Sequence, residues 1–491
     1  MPGEKPIKDK EVRLSTGISG LDEILDGGLI SKRVYLVRGG PGTGKSTMGL
    51  HFLSEGVKSG EKVVYVTLSE TEEQLQRNAK AIGINLKGIS FLDLTPGTDY
   101  FAENQSYDIF SPADVERGTT TQKILELVNS VQPSRVFIDS ATQFRYLAND
   151  AFQYRRQMLS LTRYLTEHGA TVLFTSEGSI EAPDDDLQFL CDAIINLALD
   201  SYGRNISVTK FRGSSFQSGR HSMRLGGQGI EVFPQLAPIL YHKEFLAEPL
   251  PFGIPDLDKL IHGGIERGTV SIISGSSGVG KTTLGVQFLV EAAKRGERSV
   301  VYTFEEGKET IIQRCESIRM PIRNLLGQGT LLINEIEPLH YSPDEFTCVV
   351  QRDIKERNTK NIMLDSTSGY KLSLAGRDLA EQLHTLCHYL NNAGVTTILI
   401  NEVESITGEF RATENGISYL VDNIIFLRHI ETSGELHRTI GILKKRTSDF
   451  DKTLCEFEIT RRGIKVGKPL TAINGILGGV GMIRSFLGGG R

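Results

Sequence analysis

Two stretches of this chain repeat one pattern: Gly39 to Ser46 reads GGPGTGKS and Gly275 to Thr282 reads GSSGVGKT, both full matches to G-x-x-x-x-G-K-[ST]. Each follows a strand-like apolar run, Val34 to Val37 or Val270 to Ile273, and a helix-like run begins at Thr47. In that context the pattern reads as a phosphate-binding loop. Its glycines let the backbone fold tightly, so that successive N–H groups face a triphosphate at the positive end of a helix. The nucleotide-binding candidates are Gly40, Pro41, Gly42, Thr43, Gly44, Lys45, Ser46 and Thr47 in the first copy. In the second they are Ser276, Ser277, Gly278, Val279, Gly280, Lys281, Thr282 and Thr283. Lys45 and Lys281 are the residues to reach the β and γ phosphates of ATP or GTP, and Ser46 and Thr282 those to ligate Mg²⁺.

The two lysines lie 236 residues apart (281 − 45), and the same offset pairs Ser15 to Leu29, STGISGLDEILDGGL, with Pro251 to Ile265, PFGIPDLDKLIHGGI. It also sets Glu70 on Glu306. A period this long exceeds any solenoid unit, so each copy is a whole domain. The expected boundaries are a polar lead-in over 1–14, domains over 15–233 and 251–467, a proline-rich linker over 234–250 and a tail over 468–491. The tail combines helically spaced Ile473, Ile476, Leu477, Val480, Ile483, Phe486 and Leu487 with four helix-weakening glycines. A polar stretch around Thr95 to Gly118, with no counterpart in the second copy, reads as a surface excursion.

After the first loop, Met48 to Lys58 has helical spacing and Lys62 to Leu68 is β-branched. A strand, a helix and a strand in this order predict α/β domains with a mostly parallel sheet and ligands at the carboxyl ends of its strands. No apolar run is long enough for a membrane span, and the charged amino terminus lacks the apolar segment of a signal peptide, which predicts a cytoplasmic protein. Five scattered cysteines without a C-x-x-C pair fit a reducing compartment, and a net charge of −5 argues against a nucleic-acid partner.

Two further strands end in aspartate: Arg135 to Asp139 and Asn361 to Asp365. Either aspartate alone reads equally as a turn residue. Their recurrence 94 (139 − 45) and 84 (365 − 281) residues after the loop lysines favours a hold on Mg²⁺ through its water shell. Strands Thr171 to Thr175 and Thr396 to Ile400 lead to Glu177 and Glu402, candidates to sense the γ phosphate or ordinary strand ends. Near each domain's close, Lys210 with Arg212 and Lys444 with Arg446 stand two apart on a strand, so each pair shares a face and either meets one anion or simply faces solvent.

Two P-loop domains in tandem, each opening with G-I-x-x-L-D and closing with K-x-R, resemble the KaiC family of RecA-like ATPases over about residues 14–467. The resemblance implies two RecA-like domains, ATP bound with Mg²⁺ at the subunit interfaces of a double-ring homohexamer, and an autokinase and autophosphatase in the second domain. It further implies KaiB-like or other signalling partners. The family's catalytic pair of glutamates, the first acting as general base, corresponds to Glu305 and Glu306 in the second copy but to Ser69 and Glu70 in the first. A serine hydroxyl does not accept a proton as a carboxylate does, so either Glu70 takes that role in the first domain or the domain hydrolyses ATP more slowly or by positioning water alone. The family's phosphoacceptor stretch corresponds to Gly416 to Leu427, GISYLVDNIIFL, making Ser418 the acceptor, with Tyr419 where the family has threonine and Thr413 a secondary candidate. The first copy has Gln188 and Phe189 there. By the same resemblance the K-x-R pairs are trans-acting cations. A DNA-directed RecA-like motor and a nucleotide-dependent scaffold remain the competing classes.

Overall fold

The computed structural model describes residues 11–95, 112–148, 150–178, 183–238, 242–374, 376–403, 417–432, 434–470, 473–474 and 482–483. The chain divides into two units, Met1–Gln235 and Leu236–Arg491, and each is built on a sheet of nine strands. In the first unit these are β1 (Val34–Arg38), β2 (Val63–Thr67), β3 (Ile89–Asp93), β4 (Arg135–Asp139), β5 (Thr171–Ser176), β6 (Ala193–Asp200), β7 (Gly203–Phe211), β8 (His221–Gly226) and β9 (Gly229–Phe233). In the second they are β10 (Val270–Gly275), β11 (Ser299–Thr303), β12 (Leu331–Glu335), β13 (Asn361–Asp365), β14 (Thr396–Glu402), β15 (Asn423–Thr432), β16 (Glu435–Lys445), β17 (Cys455–Thr460) and β18 (Gly463–Pro469).

The order across the first sheet is β9-β8-β7-β6-β1-β5-β4-β2-β3, and across the second β18-β17-β16-β15-β10-β14-β13-β11-β12, identical strand for strand. Strands β1 and β10 lie at the centre, each with a parallel neighbour on both sides. The last three strands of each unit are added antiparallel. The central strands are apolar without alternation because helices cover both faces. Tyr35 and Val37 of β1 join one core with Met48, Leu50, Phe52 and Leu53 of the helix Lys45–Lys58. Val34 and Leu36 point the other way, into a second core with Tyr154, Met158, Leu161 and Leu165 of the helix Ala151–Glu167.

The repeated opening motif proves to be a structural device. Asp22 accepts hydrogen bonds from the Ser15 hydroxyl (2.6 Å) and the Thr16 amide (2.8 Å), and Asp258 accepts three from the amides of Phe252, Gly253 and Ile254. A carboxylate ringed by donors fixes the turn that enters each domain.

Three stretches take on detail. The surface excursion is shorter than read, since a helix runs over Pro112–Val131; residues 96–111 lie outside the described residues. In the tail Ile473–Asn474 pairs antiparallel with Met482–Ile483, so extended backbone replaces helical spacing where the tail is described, consistent with the cost of its glycines in a helix. Of the proline-rich stretch 234–250, the described residues from Leu236 onward belong to the second unit. Leu236 packs on that unit's core, the Lys243 amide donates to the Asn392 carbonyl at 2.8 Å, and Pro249–Leu250 pairs with Ile265–Glu266. Among the described residues no helix is long and apolar enough to cross a membrane.

Candidate functional site

In the second unit the carboxyl ends of β10, β11, β13 and β14 open on a cleft of about 620 Å³. Its walls bring together Ser277, Gly278, Gly280, Lys281, Thr282, Thr283, Glu305, Glu306, Asp365 and Glu402. Gly280 caps the helix Lys281–Lys294 with a φ of 111°, and a Cβ there would stand 2.6 Å from the Ile459 side chain, so only glycine closes this loop without strain. Lys281 donates to the Ser276 carbonyl at 2.8 Å. Burial pushes its pKa below the usual lysine value while Glu402, Asp365 and Glu305 act in the opposite direction.

Asp365 is 7% exposed, and burial pushes its carboxyl up to about 6; a hydrogen bond from Thr282 opposes the rise, and the nearby carboxylates Glu306 and Glu305 add to it. Its Oδ2 is buried and has no hydrogen-bond partner among the described residues. An unpartnered buried carboxylate oxygen beside a hydroxyl is a donor set that suits a hard cation. The two glutamates differ. Glu306 is committed to an ion pair with Arg314 (2.7 Å), whereas among the described residues Glu305 takes the Ser366 hydroxyl alone (2.5 Å). Of this pair, Glu305 is thus the carboxylate outside an ion pair among the described residues.

In the first unit Gly44 caps the helix Lys45–Lys58 with a φ of 106°, and Lys45 donates to the carbonyls of Gly39 (2.8 Å) and Gly40 (3.0 Å). Burial lowers its pKa, with Asp139 and Glu177 opposing. Asp139 ends β4 as Asp365 ends β13, but here both carboxylate oxygens are taken, Oδ2 by the Tyr65 hydroxyl (3.0 Å) and Oδ1 by the Thr175 hydroxyl. Glu70 accepts from the Asn78 side-chain amide at 3.0 Å, and Ser69 supplies no carboxylate.

The K-x-R pairs sit apart from these loops. Lys210 and Arg212 both donate to the Phe189 carbonyl, and Lys210 to that of Gln188 as well. Lys444 donates to the carbonyls of Ser418 (2.8 Å) and Val421 (2.6 Å), and Arg446 to that of Tyr419 (2.7 Å). Each pair thus shares a face as the spacing predicts, although Arg212 and Arg446 lie just beyond the ends of β7 and β16. Ser418 lies half-buried in a short turn of helix, Ile417–Tyr419, and is not among the residues lining the Lys281 cleft of its own chain. Thr413 lies outside the described residues.

Comparison with known proteins settles the relationship. The family described as "ATPase: KaiC" matches this chain twice, over residues 14–237 and 250–471. The chain belongs to that family. Its relatives include the protein named "Circadian clock protein KaiC3" of Synechocystis sp., 27% identical over 487 residues that cover 96% of this chain and 94% of the relative. The "Circadian clock oscillator protein KaiC" of Parasynechococcus marenigrum is 26% identical over 95% of this chain and 93% of its own length, and that of Prochlorococcus marinus strain SARG 27% over 95% and 94%. Membership makes the chain a tandem P-loop ATPase of the KaiC type and implies that it binds ATP. Several residues of this KaiC-family site escaped the motif reading. Arg314 stands at the 236-residue offset from Asn78, so a register comparison reveals that substitution, but Arg438 and Ile459 enter the cleft from β16 and β17 and carry no local motif.

Proposed function

We propose that the second domain hydrolyses ATP and also transfers its γ-phosphoryl group to Ser418 of a neighbouring subunit in a homohexamer. The observation that carries this reading is the separation of roles within one chain: Glu305 faces the Lys281 cleft with a single hydroxyl partner, while Ser418 is held outside that cleft by Lys444. In this reading Lys281 binds the β and γ phosphates, and Thr282 with the open Oδ2 of Asp365 would hold Mg²⁺. When bound, the cation neutralises charge on the transferring group. The Ser418 Oγ–phosphorus bond forms as the bond to the β-phosphate oxygen breaks, ADP leaves, and the serine proton passes to Glu305. Lys444 and Arg446 accompany the acceptor into the neighbour's site, where fixed cations stabilise the transition state. Tyr419 carries its hydroxyl about 4 Å farther from the backbone than serine and is not a second acceptor.

The first domain, with Ser69 and a fully bonded Asp139, is a slower ATPase that holds the ring together. In this reading the protein is a cytoplasmic timing or signalling switch that works with KaiB-like partners, and the circadian clock named in its relatives supports the timing part. Incubation with γ-labelled ATP and peptide mapping tests the kinase assignment. Label is expected on Ser418, lost in Glu305→Gln, and restored when the Glu305→Gln and Ser418→Ala chains are mixed, since each lacks what the other provides. Light scattering with ATP should give a mass near six protomers. A strict monomer, or label on Thr413 or Tyr419 alone, contradicts the proposal.

A further inference from the structure

The metal-binding positions of the two domains differ through residues that no motif contains. In the second domain Asp365 has an open Oδ2. In the first, the Tyr65 hydroxyl donates to the corresponding oxygen, Oδ2 of Asp139, at 3.0 Å. Thr175 donates to the other oxygen. The counterparts are apolar. Tyr65 pairs with Phe137 two residues before Asp139, as Val301 pairs with Met363 two residues before Asp365. Thr175 stands beside Val37 of the central strand as Ile400 stands beside Ile273. Both donors are thus present in one domain and both absent in the other. The first domain also has Ser69 where Glu305 adds a carboxylate to the second cleft.

From this arrangement we propose that Tyr65 and Thr175 are specificity-determining residues that weaken divalent-cation binding at the first site, so that the first domain retains ATP with little dependence on metal while the second requires it. The proposal rests on the metal-holding role given above to Ser46, Asp139, Thr282 and Asp365. A carboxylate whose two oxygens already accept hydroxyl donors must give up one of those bonds to take a cation or a water of its shell, and the bond lost is subtracted from the cation's affinity.

Mn²⁺ titration of the full chain, followed by electron paramagnetic resonance with a non-hydrolysable ATP analogue bound, tests this without reference to turnover. Two classes of site are expected, at least ten-fold apart, with the weak class lost in Lys45→Ala and the tight class lost in Lys281→Ala. The double variant Tyr65→Phe with Thr175→Val keeps ring and volume, and it should tighten the weak class towards the other. The reverse change Ile400→Thr should weaken the tight class, which covers the case of a first domain that fails to fold. Two sites of equal affinity, or a weak class unmoved by the double variant, overturn the proposal and leave the metal-holding role standing. Absence of Mn²⁺ at the second site overturns both.

Discussion

Asp365 concentrates the chemistry of the second site. Its carboxyl is raised to about 6, against 3.8 for an ordinary aspartate, chiefly by burial. The folded state therefore binds its proton more tightly than the unfolded chain does. By linkage this group's contribution is most favourable below pH about 4, falls as pH rises to about 6, and is flat above. In the absence of ligand, the thermal midpoint of the second domain should decline over that window in the wild type more than in Asp365→Asn, and parallel profiles would show that Asp365 is not buried as described. Metal-dependent nucleotide binding should have the opposite trend, weakening as acidification through 6 protonates the one oxygen left open. The loop lysines were legible from their motif and the aspartates from their recurrence at strand ends, whereas the glutamate pair came from the family resemblance. The partners of those residues were not. Tyr65, Thr175, Ser366 and Arg314 act through contacts that depend on register between strands and on helix orientation. The offset that aligns the copies falls from 236 at the loops (281 − 45) to 226 at the aspartates (365 − 139), so a fixed register misses Thr175 and Ser366, while Tyr65 and Arg314 keep the register but belong to no motif.

At the scale of elements, each site depends on a strand, a turn and a helix whose junction is a glycine in a left-handed conformation. Gly280→Ala should destabilise the second domain by at least about 1 kcal/mol from backbone strain, with a further penalty because Ile459 must shift. Differential scanning calorimetry should show a lowered transition for one of two units, whereas an unchanged profile would mean that the loop adopts another conformation. Most strands were readable because β1, β4, β10 and β13 are apolar runs covered on both faces, with the ends of β4 and β13 marked by aspartate. In the tail the four glycines already weighed against a helix, and its described residues pair as extended backbone, a partner choice that apolar spacing does not reveal. The linker was read from composition alone, yet its hydrogen bond to the Asn392 carbonyl depends on a helix about 150 residues farther along the chain.

At the scale of the whole molecule, duplication has produced two domains with one topology and unequal chemistry. Both keep the loop lysine and the strand-end aspartate, but among the described residues the second has Glu305 bonded to a single hydroxyl and Asp365 with an open oxygen, where the first has Ser69 and a fully bonded Asp139. A positioned general base contributes about 10²- to 10⁴-fold to a rate, so hydrolysis should come overwhelmingly from the second site. ADP release by the assembled protein under saturating Mg·ATP measures this directly in two variants, Lys45→Ala and Lys281→Ala. The account predicts that Lys281→Ala lowers the rate at least ten-fold while Lys45→Ala, where the ring stays assembled, keeps more than half of it. The reverse ranking, with most turnover lost in Lys45→Ala and retained in Lys281→Ala, would contradict it.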